Sequence, residues 1–227
     1  MPSPIRAFVF DAYGTLYDVH SLVSLAEELA PRQGVVLSQA WRTKQLEYTW
    51  LSALMATPAH PRDDFATLTL RALDYAIAKL MIPLREHDRQ RLFDAYRMLA
   101  PFPDAAETLS RLAPRKRVIL SNGTPEMLKP LVAQSPLEPH VDDILSVDAA
   151  DAYKPAPAVY QLAVDRLGLA REEIAFVSAN GWDAAGAKVF GFTTFWINRQ
   201  GLPIERHAPD PDFIVGTLGH IPAIVSV

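Results

Sequence analysis

A single aspartate, Asp11, ends the short apolar run Ala7-Phe8-Val9-Phe10 and is followed by Ala12-Tyr13-Gly14-Thr15. A carboxylate is a weak nucleophile in water, and becomes a better one when water is removed and its orientation is fixed. Two later apolar runs also stop at small polar clusters. Residues 117–120 end at Ser121-Asn122-Gly123, and residues 174–177 end at Ser178-Ala179-Asn180-Gly181-Trp182-Asp183. A lysine, Lys154, lies in Asp151-Ala152-Tyr153-Lys154-Pro155. Taken singly, each polar residue is equally a helix cap, and the lysine equally a solvated surface residue. Only their coincidence in space would make a site.

That coincidence depends on the elements that carry them. The apolar runs are short and rich in β-formers, as expected of strands buried on both faces of a parallel sheet. Parallel strands point the same way, so their polar ends meet at one sheet edge, where open α/β sheets bind ligands. Residues 144–147 and 194–197 supply two further strand candidates. Asp104 is expected to cap a helix bearing Ala105, Leu109 and Leu112, and Thr124 with Pro125 to open another. Helices over 157–167 and 184–190 end at Gly168 and Gly191.

The stretch after Thr15 breaks the alternation with four successive helices. Ser21 is expected to cap the first, with Leu22, Leu25, Ala26 and Leu29. Ser38 is expected to cap the second, running to about Met55 with Leu46, Trp50 and Leu54 on one stripe. Asp63 and Asp64 start the third, whose apolar face runs from Phe65 to Leu80. The fourth follows Pro83 and carries Leu92, Phe93, Tyr96 and Leu99. The expected fold is α/β: a Rossmann-like parallel sheet core from residues 1–16 and 98–227, with residues 17–97 inserted as a helical cap subdomain.

The 227 residues, 49% hydrophobic and 21% charged, suit one large domain or a domain with an insertion. A net charge of -4 gives no electrostatic footprint for nucleic acid or an anionic membrane. Cysteine is absent, which excludes disulfides, thiolate metal sites and cysteine nucleophiles and suits a reducing cytoplasm. No apolar run approaches membrane-spanning length, and no signal-peptide apolar region precedes the first strand, so a cytoplasmic location is expected. The six histidines are scattered without metal-ligand spacing and are assigned nothing.

Asp11-Ala12-Tyr13-Gly14-Thr15, Ser121-Asn122-Gly123, Lys154-Pro155 and Ser178-Ala179-Asn180-Gly181-Trp182-Asp183 resemble, in order, the motifs of the haloacid dehalogenase superfamily. Within it the chain looks most like the hydrolytic (S)-2-haloacid dehalogenases. Phosphatases of the superfamily carry an acid two residues after the nucleophile, where this chain has Tyr13, a phenol of reference pKa about 10. They also carry a magnesium-holding aspartate where this chain has Ala179. Halide leaves without a proton and a halocarboxylate needs no magnesium, so no metal and no cofactor are expected.

The resemblance implies covalent catalysis. Asp11 attacks the halogen-bearing carbon and water then cleaves the ester, releasing an (R)-2-hydroxyacid and halide. Lys154 would balance and orient Asp11, and Thr15 would position it. Ser178, Asn180 and Asp183 would hold the hydrolytic water and the developing oxyanion. The substrate carboxylate would rest on Ser121 and on backbone N–H groups of Ala12 and Tyr13. Arg42, Asn122 and Trp182 match the halide cradle, and Tyr160 matches a tyrosine near the nucleophile that could equally be packing. For Arg42 the residues alone also allow a stem that packs while its head reaches water. The expected ligands are a small 2-haloacid and halide, with no nucleic acid or membrane partner and with a homodimer through the cap helices left open. A superfamily phosphatase or phosphonatase, or a non-catalytic small-acid binding protein, stands as the alternative.

Overall fold

The computed structural model describes residues 4–225. Its centre is a six-stranded sheet of β1 (Ala7–Phe10), β2 (Lys116–Ser121), β3 (Asp143–Ser146), β4 (Ile174–Ser178), β5 (Thr193–Ile197) and β6 (Phe213–Val215). The strand order is β3-β2-β1-β4-β5-β6 and every pair is parallel. β1 therefore lies at the middle, flanked by β2 and β4. All four of its residues are buried, which explains why the sequence there is a continuous apolar run rather than an alternating one.

Helices α1 (Val23–Leu29), α2 (Gly34–Met55), α3 (Phe65–Lys79) and α4 (Glu86–Ala95) follow β1 with no strand between them. α2 packs on both α1 and α3. Then α5 (Ala105–Arg111), α6 (Pro125–Ala133), α7 (Pro157–Leu167) and α8 (Gly181–Phe190) alternate with the strands, and α9 (Ile221–Val225) ends the described chain. Asp64 caps α3 by accepting from the Thr67 N–H at 2.7 Å. Gly168 and Gly191 close α7 and α8 with φ of +63° and +110°, which favour glycine.

Several expected caps are differently employed. α2 begins at Gly34, four residues before Ser38, so Ser38 lies inside the helix, where its hydroxyl meets His20 Nδ1 at 3.1 Å. Ser21 makes no cap; its hydroxyl accepts from the Ala100 N–H instead. Asp104 stands at the N-cap of α5, but its carboxylate is taken by Arg199 at 2.9 and 3.1 Å and by the Leu218 N–H. In each case a tertiary partner outcompetes the local one.

The buried face of α2 also differs from the expected stripe. Leu37, Trp41, Gln45 and Thr49 are the residues turned inward, while Leu54 is 83% exposed. The stripe of Arg42, Leu46 and Trp50 is half-buried. β6 and α9 were not anticipated from the sequence. β6 is a three-residue edge strand whose Phe213 and Ile214 are partly exposed, so it lacks the buried-strand pattern.

Candidate active site

The ends of β1, β2 and β4 meet at the sheet edge, as parallel strands require. Asp11 follows β1 directly, and its N–H donates to the Val177 carbonyl of β4 at 2.9 Å. The carboxylate is buried, yet both of its oxygens have partners. Lys154 Nζ donates to Oδ1 at 3.1 Å, while Thr15 Oγ1 and Asn180 Nδ2 donate to Oδ2 at 2.8 and 2.9 Å. Thr15 Oγ1 in turn accepts from the Ala179 N–H at 2.8 Å. These contacts fix the plane of the carboxylate, which a solvated aspartate would not have.

Lys154 is 1% exposed and also donates to Asp183 Oδ2 at 3.0 Å. Burial alone would lower its pKa, but the charges of Asp11 and Asp183 and their hydrogen bonds outweigh it, and the pKa is raised. The lysine therefore stays an ammonium between two carboxylates. Asp183 is held up to about 6, chiefly by burial and against the opposing pull of Lys154. Tyr160 donates its hydroxyl to Asp183 Oδ1 at 2.8 Å, so it touches this carboxylate rather than Asp11. Burial and the neighbouring Asp183 charge keep that phenol far above its ordinary range.

A glycine permits this arrangement. A Cβ at Gly186 of α8 would lie 2.5 Å from Pro155 Cβ and 2.6 Å from the Tyr160 hydroxyl. Because none is there, α8 approaches closely enough for Lys154 and Tyr160 both to reach Asp183.

Asp11, Tyr13, Arg42, Ser121, Asn122, Asn180 and Trp182 line one cavity of about 10 Å³, together with Leu46 and Phe65. That is room for no more than about one water. Thr15, Lys154, Tyr160 and Asp183 lie behind it, bonded to its walls or to one another. Ser178 Oγ accepts from the Asn180 N–H at 3.1 Å, and Ser121 Oγ accepts from the Gly123 N–H at 3.2 Å. Asn122 Oδ1 accepts from the Lys154 N–H at 3.2 Å, and Ala12 is fully buried behind the turn. Tyr13 stacks on Phe65 at 5.6 Å between ring centroids, and Trp182 meets Trp50 edge-on at 5.3 Å.

Sequence reasoning passed over Leu46 and Phe65 as lining residues. Leu46 was detectable, standing four residues beyond Arg42 on the same helix stripe. Phe65 carried only the signature of a core residue. A cleft of about 460 Å³ shares Arg42, Leu46 and Asn180 with the small cavity and continues outward past His20, Asn198 and Gln200. A larger cleft of about 540 Å³ beside β3 contains none of these residues.

The family profile described as haloacid dehalogenase-like hydrolase matches residues 5–191. A (S)-2-haloacid dehalogenase of Pseudomonas sp. (strain YL) is 44% identical over 94% of this chain and 91% of that protein. The (S)-2-haloacid dehalogenase of Xanthobacter autotrophicus is 41% identical over 97% of this chain and 95% of its own length. The chain belongs to the (S)-2-haloacid dehalogenase family. A solved structure of the L-2-haloacid dehalogenase from X. autotrophicus, with chloropropionic acid covalently bound, superposes with a TM-score of 0.89. It is 40% identical and covers 98% of each chain. As in other dehalogenases of this family, the expected α/β parallel sheet is the fold found. Among the described residues no helix is long and apolar enough to cross a membrane.

Proposed function

We propose that this chain hydrolyses short (S)-2-haloacids to (R)-2-hydroxyacids and halide through an ester formed on Asp11. The observation that carries the proposal is the buried Asp11 carboxylate, gripped at both oxygens and lining the same cavity as Arg42, Asn122 and Trp182. One Asp11 oxygen forms a bond to the halogen-bearing carbon as the carbon–halogen bond breaks. Halide departs toward Arg42, with the Asn122 amide and the Trp182 ring edge beside it. The incoming charge is favoured there because Arg42 has no carboxylate partner among the described residues.

In the second step water adds to the Asp11 carbonyl carbon and gives its proton to Asp183. The departing alkoxide takes that proton back from Asp183 as its bond to the carbonyl carbon breaks, so the hydroxyacid leaves with an oxygen that belonged to Asp11, and loss of the remaining water proton to solvent restores the carboxylate. Lys154 neutralises the oxygen that becomes negative, and Ser178 and Asn180 hold the water. Ser121 and the Ala12-Tyr13 turn receive the substrate carboxylate. Tyr160 fixes Asp183. No divalent ion takes part in this scheme: Ala179 stands where the superfamily's phosphatases carry a magnesium-holding aspartate, and the Lys154 ammonium balances Asp11 and Asp183.

Among the described residues, 4–16 and 98–225 act as the core and 17–97 as a cap over the sheet edge, in the cytoplasm; residues 1–3 and 226–227 of the expected core lie outside the described residues. The apolar side of the cap, with Leu51 and Met55 exposed beside the Tyr48–Tyr75 ring pair, supports pairing of two copies. Analytical ultracentrifugation of wild type and of Leu51→Glu tests that pairing.

Halide release from (S)-2-chloropropionate, with and without chelator, tests the activity, and chelator-resistant release is the expected result. A single turnover in heavy-oxygen water is expected to give a first product without label. Labelled first product would mean direct attack by water and would overturn the covalent route.

A further inference from the structure

Arg42 is anchored by neutral oxygens only. Its Nη1 donates to Gln45 Oε1 at 2.7 Å, and its Nη2 donates to the Tyr13 carbonyl at 3.1 Å and, more loosely, to Asn180 Oδ1 at 3.5 Å. Gln45 is fully buried one turn along α2 and is itself held from two other elements. Its Nε2 donates to Thr69 Oγ1 of α3 at 2.6 Å, and its Oε1 also accepts from the Tyr96 hydroxyl, just beyond α4, at 2.9 Å.

This network allows only one orientation of the Gln45 amide. The Thr69 hydroxyl proton is committed to the Phe65 carbonyl at 2.6 Å, so Thr69 Oγ1 can only accept, and the amide nitrogen must face it. The amide oxygen is thereby turned to Arg42. A glutamate in the same place would bind the guanidinium more strongly, but it would also cancel the charge.

We propose that Gln45 is the positioning residue for Arg42, a neutral buried acceptor that aims the guanidinium into the Asp11 cavity while leaving its positive charge for the departing halide. This inference rests on the assignment of Arg42 to halide. It adds a reason for a buried glutamine in a helix face where packing alone would place an apolar residue. Of the groups around Gln45, Arg42 is charged, Tyr96 is a phenol whose pKa burial raises, and Thr69 does not titrate.

Gln45→Glu separates this role from mere packing, because a carboxylate of the same shape keeps the contacts and cancels the guanidinium charge. With (S)-2-chloropropionate at about pH 8, where a glutamate is ionised, kcat is expected to fall and chloride inhibition to weaken, each by about tenfold, while KM changes little. Paired with Arg42, that carboxylate stays ionised across the assay range, so the neutral Gln45→Met, which keeps the volume and leaves the guanidinium charge uncancelled, is expected to retain more kcat and more chloride inhibition than Gln45→Glu. An unchanged Gln45→Glu, or equal losses in the two variants, overturns the proposal. Should Gln45→Glu fail to fold, Tyr96→Phe decides. Removing one of the anchors of Gln45 should weaken chloride inhibition about threefold, and unchanged inhibition counts against the proposal. Wild type is assayed alongside: absence of halide release there would defeat the dehalogenase reading itself, independently of either variant.

Discussion

The Lys154 ammonium lies 3.1 Å from the Asp11 carboxylate, and both groups are buried. Asp183 stands on the other side of the same ammonium, so one positive charge serves two negative ones. Removing it leaves two uncompensated carboxylates facing each other. Lys154→Met is expected to cost about 3–5 kcal/mol of stability at neutral pH and to abolish turnover. Without the cation, Asp183, already raised to about 6 by burial, loses the partner that holds its pKa down and rises further above its unfolded value. The variant should therefore be most stable relative to wild type in acid and lose ground as pH rises. Urea unfolding at several pH values checks the sign.

Asp183 has a folded-state pKa raised to about 6, so it is protonated on the acid side of that value. Only the ionised form can take a proton from the attacking water. Ester hydrolysis should fall as pH drops through about 6, with ester formation affected less. Intact-protein mass spectrometry at lower pH should then show chain carrying the 1-carboxyethyl ester on Asp11. No adduct at low pH, with turnover still slowed, would mean that the first step is the one titrating.

Gly186 makes the approach of α8 to Pro155 and Tyr160 possible. Gly186→Ala should force those neighbours apart, destabilise the fold by about 1–3 kcal/mol and reduce kcat by displacing Lys154 and Tyr160 from Asp183. Thermal unfolding and steady-state kinetics measure the two effects separately.

Leu46 borders both the small cavity and the cleft leading outward. Leu46→Ala should enlarge the space beside the substrate side chain. The kcat/KM ratio of (S)-2-chlorobutyrate to (S)-2-chloropropionate is expected to rise about tenfold, the scale of one methylene in an apolar pocket. A ratio unchanged from wild type would place the side chain elsewhere.

The sheet and its polar edge were legible because burial on both faces leaves an unmistakable apolar run, as in Ala7–Phe10, ending at an abrupt carboxylate. Asp11 and the cluster holding Asp183 stood out at the ends of such runs, whereas Lys154 read alone as a surface residue and joined them through the motif resemblance. Gln45 and Thr49 did not stand out, since polarity normally signals a surface and only the fold shows that these two face inward. Ser21, Ser38 and Asp104 had the composition of caps, but each found its partner far along the chain. Local chemistry predicts what a side chain can bond to; it does not reveal which distant group arrives first.

The placement of β1 at the middle of the sheet bears on how the molecule is made. Its two neighbours begin at Lys116 and Ile174, so an emerging polypeptide carries a sticky hydrophobic ribbon long before either flank has been synthesised. Asp11 is thus made well before Lys154 and Asn180, two of the three side chains that hold it. Its carboxylate gains a fixed orientation only after both have emerged and docked.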